Sequence, residues 1–415
     1  MQIILLIVNF FLITIISREY GAEIYGEYAS AKSLSVLLGT VTVLSLALVV
    51  TRTSANIQNF DKNLFYTTYK TIIRNTILAC AFVIPLSALF GRNSAYVLLF
   101  LIGFVFNEML HVALAYHQSK GDFVISSKQI IIRTILYGIG GWLIIYFKYS
   151  IRWIIVFQTL ILIIFYFVAH NSLPKKSLPT ENKYSTQDLT NSGRKMVLTT
   201  FSAALLSELD IVILGIFYSG PILGILAWSK RILEGLYQLV GASLDIVFPE
   251  VSKLSDFKII ADLRKKLRVV VIISFVIPLL YLLLENYANQ VFVSVLGEEF
   301  SRLAGMFKIV IFSLPFMLWS RINIIFCRAM HFEIALFRIV IVAALTSFVV
   351  YFLNANFEIV PIEFGILISQ LIISLFTTAL INKKINEDFT IEMGSEETKF
   401  TITAIEKISP SEKIS

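Results

Sequence analysis

The sequence predicts an all-α integral membrane fold of about twelve transmembrane helices, arranged as two pseudo-symmetric six-helix lobes around a central cavity. Three observations predict it. Hydrophobic residues make up 57% of the 415-residue chain and charged residues only 15%, whereas roughly a quarter of an average soluble domain is charged. Apolar runs of about eighteen or more residues recur along the chain, each long enough for a hydrocarbon core of roughly 30 Å at about 1.5 Å per residue. Sliding the chain on itself by 198 residues brings Tyr20, Ile24, Gly26, Ala29 and Lys32 onto Tyr218, Ile222, Gly224, Ala227 and Lys230.

Hydropathy, broken at charges, Gly and Pro, places helices near 2–17, 29–50, 73–90, 95–117, 129–147, 151–170, 196–218, 221–249, 268–287, 303–327, 333–353 and 362–382. The first run has no basic leader and no small-residue cleavage site, so it reads as a retained span rather than a removable signal. Pro85, Pro278 and Pro315 fall inside the third, ninth and tenth helices, where a missing N–H frees a carbonyl and kinks the axis. The polar stretch from Asn171 to Lys195, with Pro174 and Pro179, reads as a linker between helices six and seven. The chain therefore divides into an N-terminal lobe over 1–170, a cytoplasmic linker over 171–195, a C-terminal lobe over 196–382 and a polar cytoplasmic tail over 383–415.

The formal net charge of +7 is a matter of topology and does not point to nucleic acid, because Lys and Arg of membrane proteins gather in cytoplasmic loops. Assigned to alternate loops, the basic residues favour one side by roughly four to one, which puts both termini in the cytoplasm. Trp153 and Tyr146 suit the opposite interface. Cys80 and Cys327 both lie in apolar runs and behave as small hydrophobes, so no disulfide is expected. His117, His170 and His331 sit at membrane edges, and neither a metal site nor a cofactor is expected.

An even number of spans in each half makes the two repeats parallel, related by an axis along the membrane normal, and transporters so built bind substrate between the repeats. Ionisable residues at bilayer depth mark such pathways, because each costs a few kcal/mol to bury. Lys230 and Arg231 lie roughly 10–15 Å into helix eight, and the repeat puts Lys32 at the same depth on helix two. A cavity on the axis would be lined by Lys32 and Lys230, with Arg18 at its outer rim. Glu234 shares a helix face with Lys230 and Arg231, so a structural ion pair is the plain alternative. Even then a positive charge remains for an anionic ligand, for which a diphosphate is the natural candidate.

Glu208 and Asp210, two residues apart on helix seven, are candidates for coupling to a proton or sodium ion, or else partners for Lys230 or Arg231. Glu108 and His111, three apart on helix four, are expected to form a hydrogen-bonded pair. Asp245 is a further intramembrane charge, while Lys308, Arg321 and Arg338 lie nearer helix ends, where long side chains snorkel.

Ser17-Arg18-Glu19-Tyr20-Gly21 followed by Tyr25-Gly26-Glu27-Tyr28 resembles the R-x-x-G-x-x-x-Y-G-x-Y turn of polysaccharide flippases, the Wzx-type O-antigen translocases. Leu209-Asp210-Ile211-Val212-Ile213-Leu214-Gly215, Gly224 with Ser229-Lys230-Arg231, and Val247-Phe248-Pro249 with Ser252-Lys253-Leu254 are similar to that family over helices seven and eight. Val295-Leu296-Gly297-Glu298-Glu299-Phe300 resembles its turn before helix ten. The resemblance, over residues 8 to 382, implies the multidrug/oligosaccharidyl-lipid/polysaccharide exporter fold in a bacterial inner membrane. It implies a substrate too: undecaprenyl diphosphate carrying an oligosaccharide repeat unit, moved to the outer leaflet. Arg18, Lys32, Lys230 and Arg231 would hold it. Membrane lipids, a glycan polymerase and chain-length machinery are the partners it implies.

A cation-coupled multidrug or metabolite antiporter of the same superfamily would share the lobes but concentrate carboxylates in the cavity. A major-facilitator transporter would show a basic, Gly-rich turn between helices two and three, where this chain reads Thr51-Arg52-Thr53-Ser54-Ala55-Asn56. A polymerase or glycosyltransferase would need catalytic carboxylates or a long outer loop. No Asp-x-Asp, Ser-His-Asp or Gly-rich phosphate loop stands in the polar segments, so an enzyme is not expected.

Overall fold

The computed structural model describes residues 2–56, 60–89, 93–174, 186–244, 257–329 and 332–384. The fold is all-α and multi-pass. In chain order its helices are α1 (Gln2–Val43), α2 (Leu46–Asn56), α3 (Lys62–Leu89), α4 (Ser94–Ser119), α5 (Phe123–Tyr146), α6 (Ile151–Asn171) and α7 (Thr186–Phe217). They continue as α8 (Pro221–Leu244), α9 (Phe257–Ser274), α10 (Val276–Leu296), α11 (Leu303–Val310), α12 (Ser313–Ala329), α13 (Glu333–Phe357) and α14 (Phe364–Lys384). Among the described residues 8 helices are long and apolar enough to cross a membrane, or up to 9 if the bent pair α11–α12 is one span.

The outer surface is what a bilayer requires. Large apolar side chains stand fully outward along the spans: Leu283 on α10 is 81% exposed, and Ile132, Leu136, Ile139 and Leu143 form an exposed stripe down α5. Their spacing of three or four residues is one helical face, turned to lipid.

The first turn is far tighter than the sequence suggests. The second helix begins at Ala22, not near 29, and the two helices of α1 meet at Gly21, with φ 80° and ψ 173°. A side chain is strained at that positive φ, and glycine is not. The kink folds α1 back on itself: Phe10 and Tyr25 both pack on Trp228, with ring centroids 5.2 and 6.0 Å away. In a straight helix, residues fifteen apart would be about 22 Å apart.

Other boundaries move for local reasons. The second apolar run ends at Val43 and resumes as α2 after Leu44 and Ser45, both at positive φ. Helix three starts at Lys62 rather than 73 because a polar segment extends it beyond its apolar stretch, and helix five at Phe123 rather than 129 because polar Ser126-Ser127-Lys128-Gln129 separates its apolar first turn from the main run. Helix seven starts at Thr186, so the end of the expected linker is helical. The expected ninth helix lengthens into α9 and α10, broken at Phe275, and the tenth is bent by 51° between α11 and α12. Pro278 and Pro315 lie just beyond these breaks, where each ring clashes with the carbonyl four residues earlier. Residues 175–185 of the linker, the tail beyond Lys384, Asp245, His331 and the Val247–Pro249 and Ser252–Leu254 motifs lie outside the described residues.

Candidate functional site

The kinked α1 carries its second segment against α7 and α8, and there the N-terminal and C-terminal halves of the chain meet. Glycines of equivalent register cross closely there. A methyl on Gly26 would lie 2.8 Å from the amide nitrogen of Gly224, and one on Gly224 would lie 1.8 Å from the carbonyl oxygen of Ala22. Beside this crossing Trp228 Nε1 donates to Ser17 Oγ, and the backbone N–H of Ala22 donates to Glu299 Oε2 at 2.7 Å. Glu299, from the turn between α10 and α11, thereby satisfies one of the free donors at the start of the second α1 segment.

One to two helical turns further along both helices the interface becomes ionic. Arg231 NH1 donates to Glu234 Oε2 at 2.7 Å and its NH2 reaches Glu208 Oε2 at 3.5 Å. Ser33 Oγ donates to the same Glu208 oxygen at 2.6 Å. Ser33 is the position that the repeat matches to Arg231, so equivalent positions of the two halves converge on one carboxylate. Lys32 lies within electrostatic range of Glu208, Glu234 and Arg231. It is half-buried and makes no hydrogen bond or ion pair among the described residues.

Lys230 turns the other way. Its Nζ lies 3.0 Å from Asp210 Oδ2, both side chains buried, and Tyr351 of α13 donates to Asp210 Oδ1 at 3.3 Å. Asp210 also borders a cavity of about 20 Å³ that Ser347, Ser369 and Gln370 help to line, room for about one water-sized guest. Of the expected binding residues, Lys32 and Arg231 therefore share a site with the coupling candidate Glu208. Lys230 and Asp210 form a separate buried pair inside the C-terminal half, and Arg18 is exposed and joins neither. It is Arg231, rather than Lys230, that faces Lys32.

Several residues escaped the sequence reading. Ser33 was legible only as the repeat partner of Arg231, and Tyr351 carried no signal of its own. Arg133, which a helix starting near 129 would put at the membrane edge, stands in mid-helix because α5 starts at Phe123; the Gly121-Asp122 pair before it was the available marker. Its NH1 donates to Asn107 Oδ1. The expected bond between Glu108 and His111 does not form. Lys308 pairs with Glu285 at 2.7 Å, and Arg338 is exposed. Among the described residues no group of three or more His, Cys, Asp or Glu could hold a metal ion.

Residues 75–305, more than half of the chain, match the model of a family described as "Polysaccharide biosynthesis protein". The chain belongs to the polysaccharide biosynthesis protein family. No curated protein matches this family member in sequence. Among solved structures, the lipid II flippase MurJ in an inward closed conformation covers 97% of this chain and 91% of its own, at 16% identity and a TM-score of 0.69. An inward-facing multidrug resistance MATE family transporter of the MOP superfamily covers 93% and 95%, at 10% identity and 0.60. The eukaryotic MATE transporter AtDTX14 covers 93% and 97%, at 13% identity and 0.52. Identities this low establish a shared fold, and they establish it for nearly the whole polysaccharide biosynthesis chain.

Proposed function

We propose that this family member is a flippase that moves an undecaprenyl-diphosphate-linked oligosaccharide, such as an O-antigen, capsule or exopolysaccharide unit, from the cytoplasmic to the outer leaflet of a bacterial inner membrane. The observation that carries this reading is Lys32: an ammonium with no ion pair among the described residues, set beside Arg231 where the two halves meet. Buried charges are normally paired, and the oxygens of a diphosphate would supply both cations with charge-assisted hydrogen bonds. Glu208 and Glu234 neutralise Arg231 until such a ligand competes for it. Family membership and the fold shared with a lipid II flippase support the same substrate class.

On this reading the chain crosses twelve times. The folded-back α1 makes two crossings, α3 and α8 one each despite their polar residues, α9–α10 one and α11–α12 one. Residues 1–170 and 196–382 are then six-helix lobes around a central cavity, joined by the 171–195 linker and followed by the 383–415 tail, with both termini cytoplasmic by the distribution of Lys and Arg. Lys230 and Arg18 join the substrate path only when the lobes rearrange. Asp210 is the coupling candidate with a cavity beside it, and Lys230 is its resident counter-ion. A glycan polymerase and chain-length machinery are the partners that would take up the product. The work is transport, with no bond made or broken in the substrate.

The test is transbilayer movement of a fluorescent undecaprenyl-diphosphate oligosaccharide in proteoliposomes, comparing wild type with Lys32→Ala and Arg231→Ala. Movement by the wild type and its loss in both variants is the expected result. Exchange of a soluble organic cation for protons, without movement of the lipid, would replace the flippase with the antiporter reading.

A further inference from the structure

A second charged site lies in the N-terminal half, centred on Arg133. The residue stands ten positions into α5, about 15 Å from its start and so near the middle of the span. A guanidinium at that depth costs several kcal/mol unless its donors find partners. Arg133 has no carboxylate within ion-pair distance among the described residues; Glu108 on α4 is within electrostatic range only. NH1 donates to Asn107 Oδ1, and the guanidinium carbon lies 5.7 Å from the centroid of the Tyr137 ring. Among the described residues its Nε has no hydrogen-bond partner, and neither do the buried Gln129 Oε1 and Tyr137 hydroxyl.

These three groups stand four residues apart on one face of α5, away from the lipid-facing stripe of Ile132, Leu136, Ile139 and Leu143. Gly141, one turn beyond Tyr137, packs on Leu12 of α1, so the face looks into the bundle. Buried polar side-chain atoms are mostly satisfied; an unsatisfied Nε on a cation that has no ion pair among the described residues, flanked by two further unsatisfied atoms, marks a binding surface. With NH1 engaged by Asn107, the Nε–NH2 edge presents two parallel donors, the geometry that grips a planar oxyanion in bidentate fashion. The site is not isolated from the Arg231 cluster. Tyr28 of α1 lies within electrostatic range of both Tyr137 and Arg231, and its hydroxyl donates to Gln158 Oε1 at 3.2 Å.

We propose that Arg133, oriented by Asn107 and joined by the Tyr137 hydroxyl, is a second oxyanion subsite for the transported molecule, taking either a phosphate of the lipid carrier or a carboxylate on its glycan, with Gln129 Oε1 accepting from a hydroxyl or protonated oxygen of the same group. The proposal rests on the flippase reading. Glu108 and His111, beside Asn107 on α4, add an acceptor and a ring nitrogen suited to sugar hydroxyls.

The experiment uses the full chain in lipid nanodiscs and two probes: undecaprenyl diphosphate without sugar, and undecaprenyl diphosphate bearing a disaccharide that ends in a hexuronate. Arg133→Gln is expected to weaken binding at least tenfold, and Arg133→Lys to recover only part of it, because lysine restores charge without the fork. Loss for both probes assigns the subsite to phosphate, and loss for the hexuronate probe alone assigns it to the sugar carboxylate. Equal binding of both probes by wild type and Arg133→Gln overturns the subsite and leaves the flippase reading standing. Failure of the wild type to bind either probe overturns that reading and the subsite with it. If Arg133→Gln does not assemble, Tyr137→Phe and Gln129→Ala take its place. A drop of threefold or more in either supports the subsite, and unchanged affinity in both overturns it.

Discussion

Gly26 and Gly224, equivalent positions of the internal repeat, pack against each other so closely that neither has room for a methyl group. What each methyl would meet is backbone, which cannot swing aside as a side chain can. Gly224→Ala should therefore cost about 1–3 kcal/mol, read as a melting midpoint lower by a few degrees in detergent. Gly305→Ala is the control, since a methyl there meets nothing within 4 Å. Equal midpoints for the two variants would contradict the close crossing.

Arg231 holds two carboxylates, so its removal leaves both without their cation. Arg231→Ala should lose roughly 3–5 kcal/mol, because breaking a buried pair strands a charge. Adding Glu208→Gln and Glu234→Gln to that variant should restore most of the loss while export stays abolished. Thermal denaturation of the single and triple variants, alongside glycan export in cells, separates the structural role from the transport role.

Lys230 and Asp210 form an independent unit within the C-terminal half. A double-mutant cycle with Lys230→Met and Asp210→Leu should give a coupling energy of at least about 1 kcal/mol, the double variant being more stable than the sum of the singles predicts. Strict additivity would mean that the 3.0 Å contact contributes nothing.

Glu299 caps the amide of Ala22 from 277 residues away. Glu299→Ala should destabilise by about 0.5–2 kcal/mol, as loss of a helix N-cap does, and Glu299→Gln by less, because an amide oxygen still accepts. Amide hydrogen exchange localises the effect: Ala22 should exchange faster in the Ala variant, with α4 unchanged.

The multi-pass helical class was legible without coordinates because it follows from length and hydropathy, which are local properties. The intramembrane charges were legible too: Lys32, Glu208, Asp210, Lys230, Arg231 and Glu234 stand out against apolar neighbours, and burying each is costly enough that its presence demands a reason. Even the repeat could be read, since Gly26 and Gly224 fall into register by counting. The depth of Arg133 was not, because polar Ser126-Ser127-Lys128-Gln129 cuts the apolar first turn Phe123-Val124-Ile125 off from the main apolar run, and the helix continues through both.

What only the tertiary structure decided is which charge meets which. Lys230 and Arg231 are neighbours in sequence, but on a helix they point about 100° apart. One enters the C-terminal half to meet Asp210 and Tyr351, and the other faces Glu208 and Lys32 at the junction. The sequence by itself determined that these ions lie in the membrane. Their pairing depends on the azimuth of α8 against α1 and α7, which is set by the glycine crossing and the Gly21 kink, and no pattern along one chain segment encodes that angle.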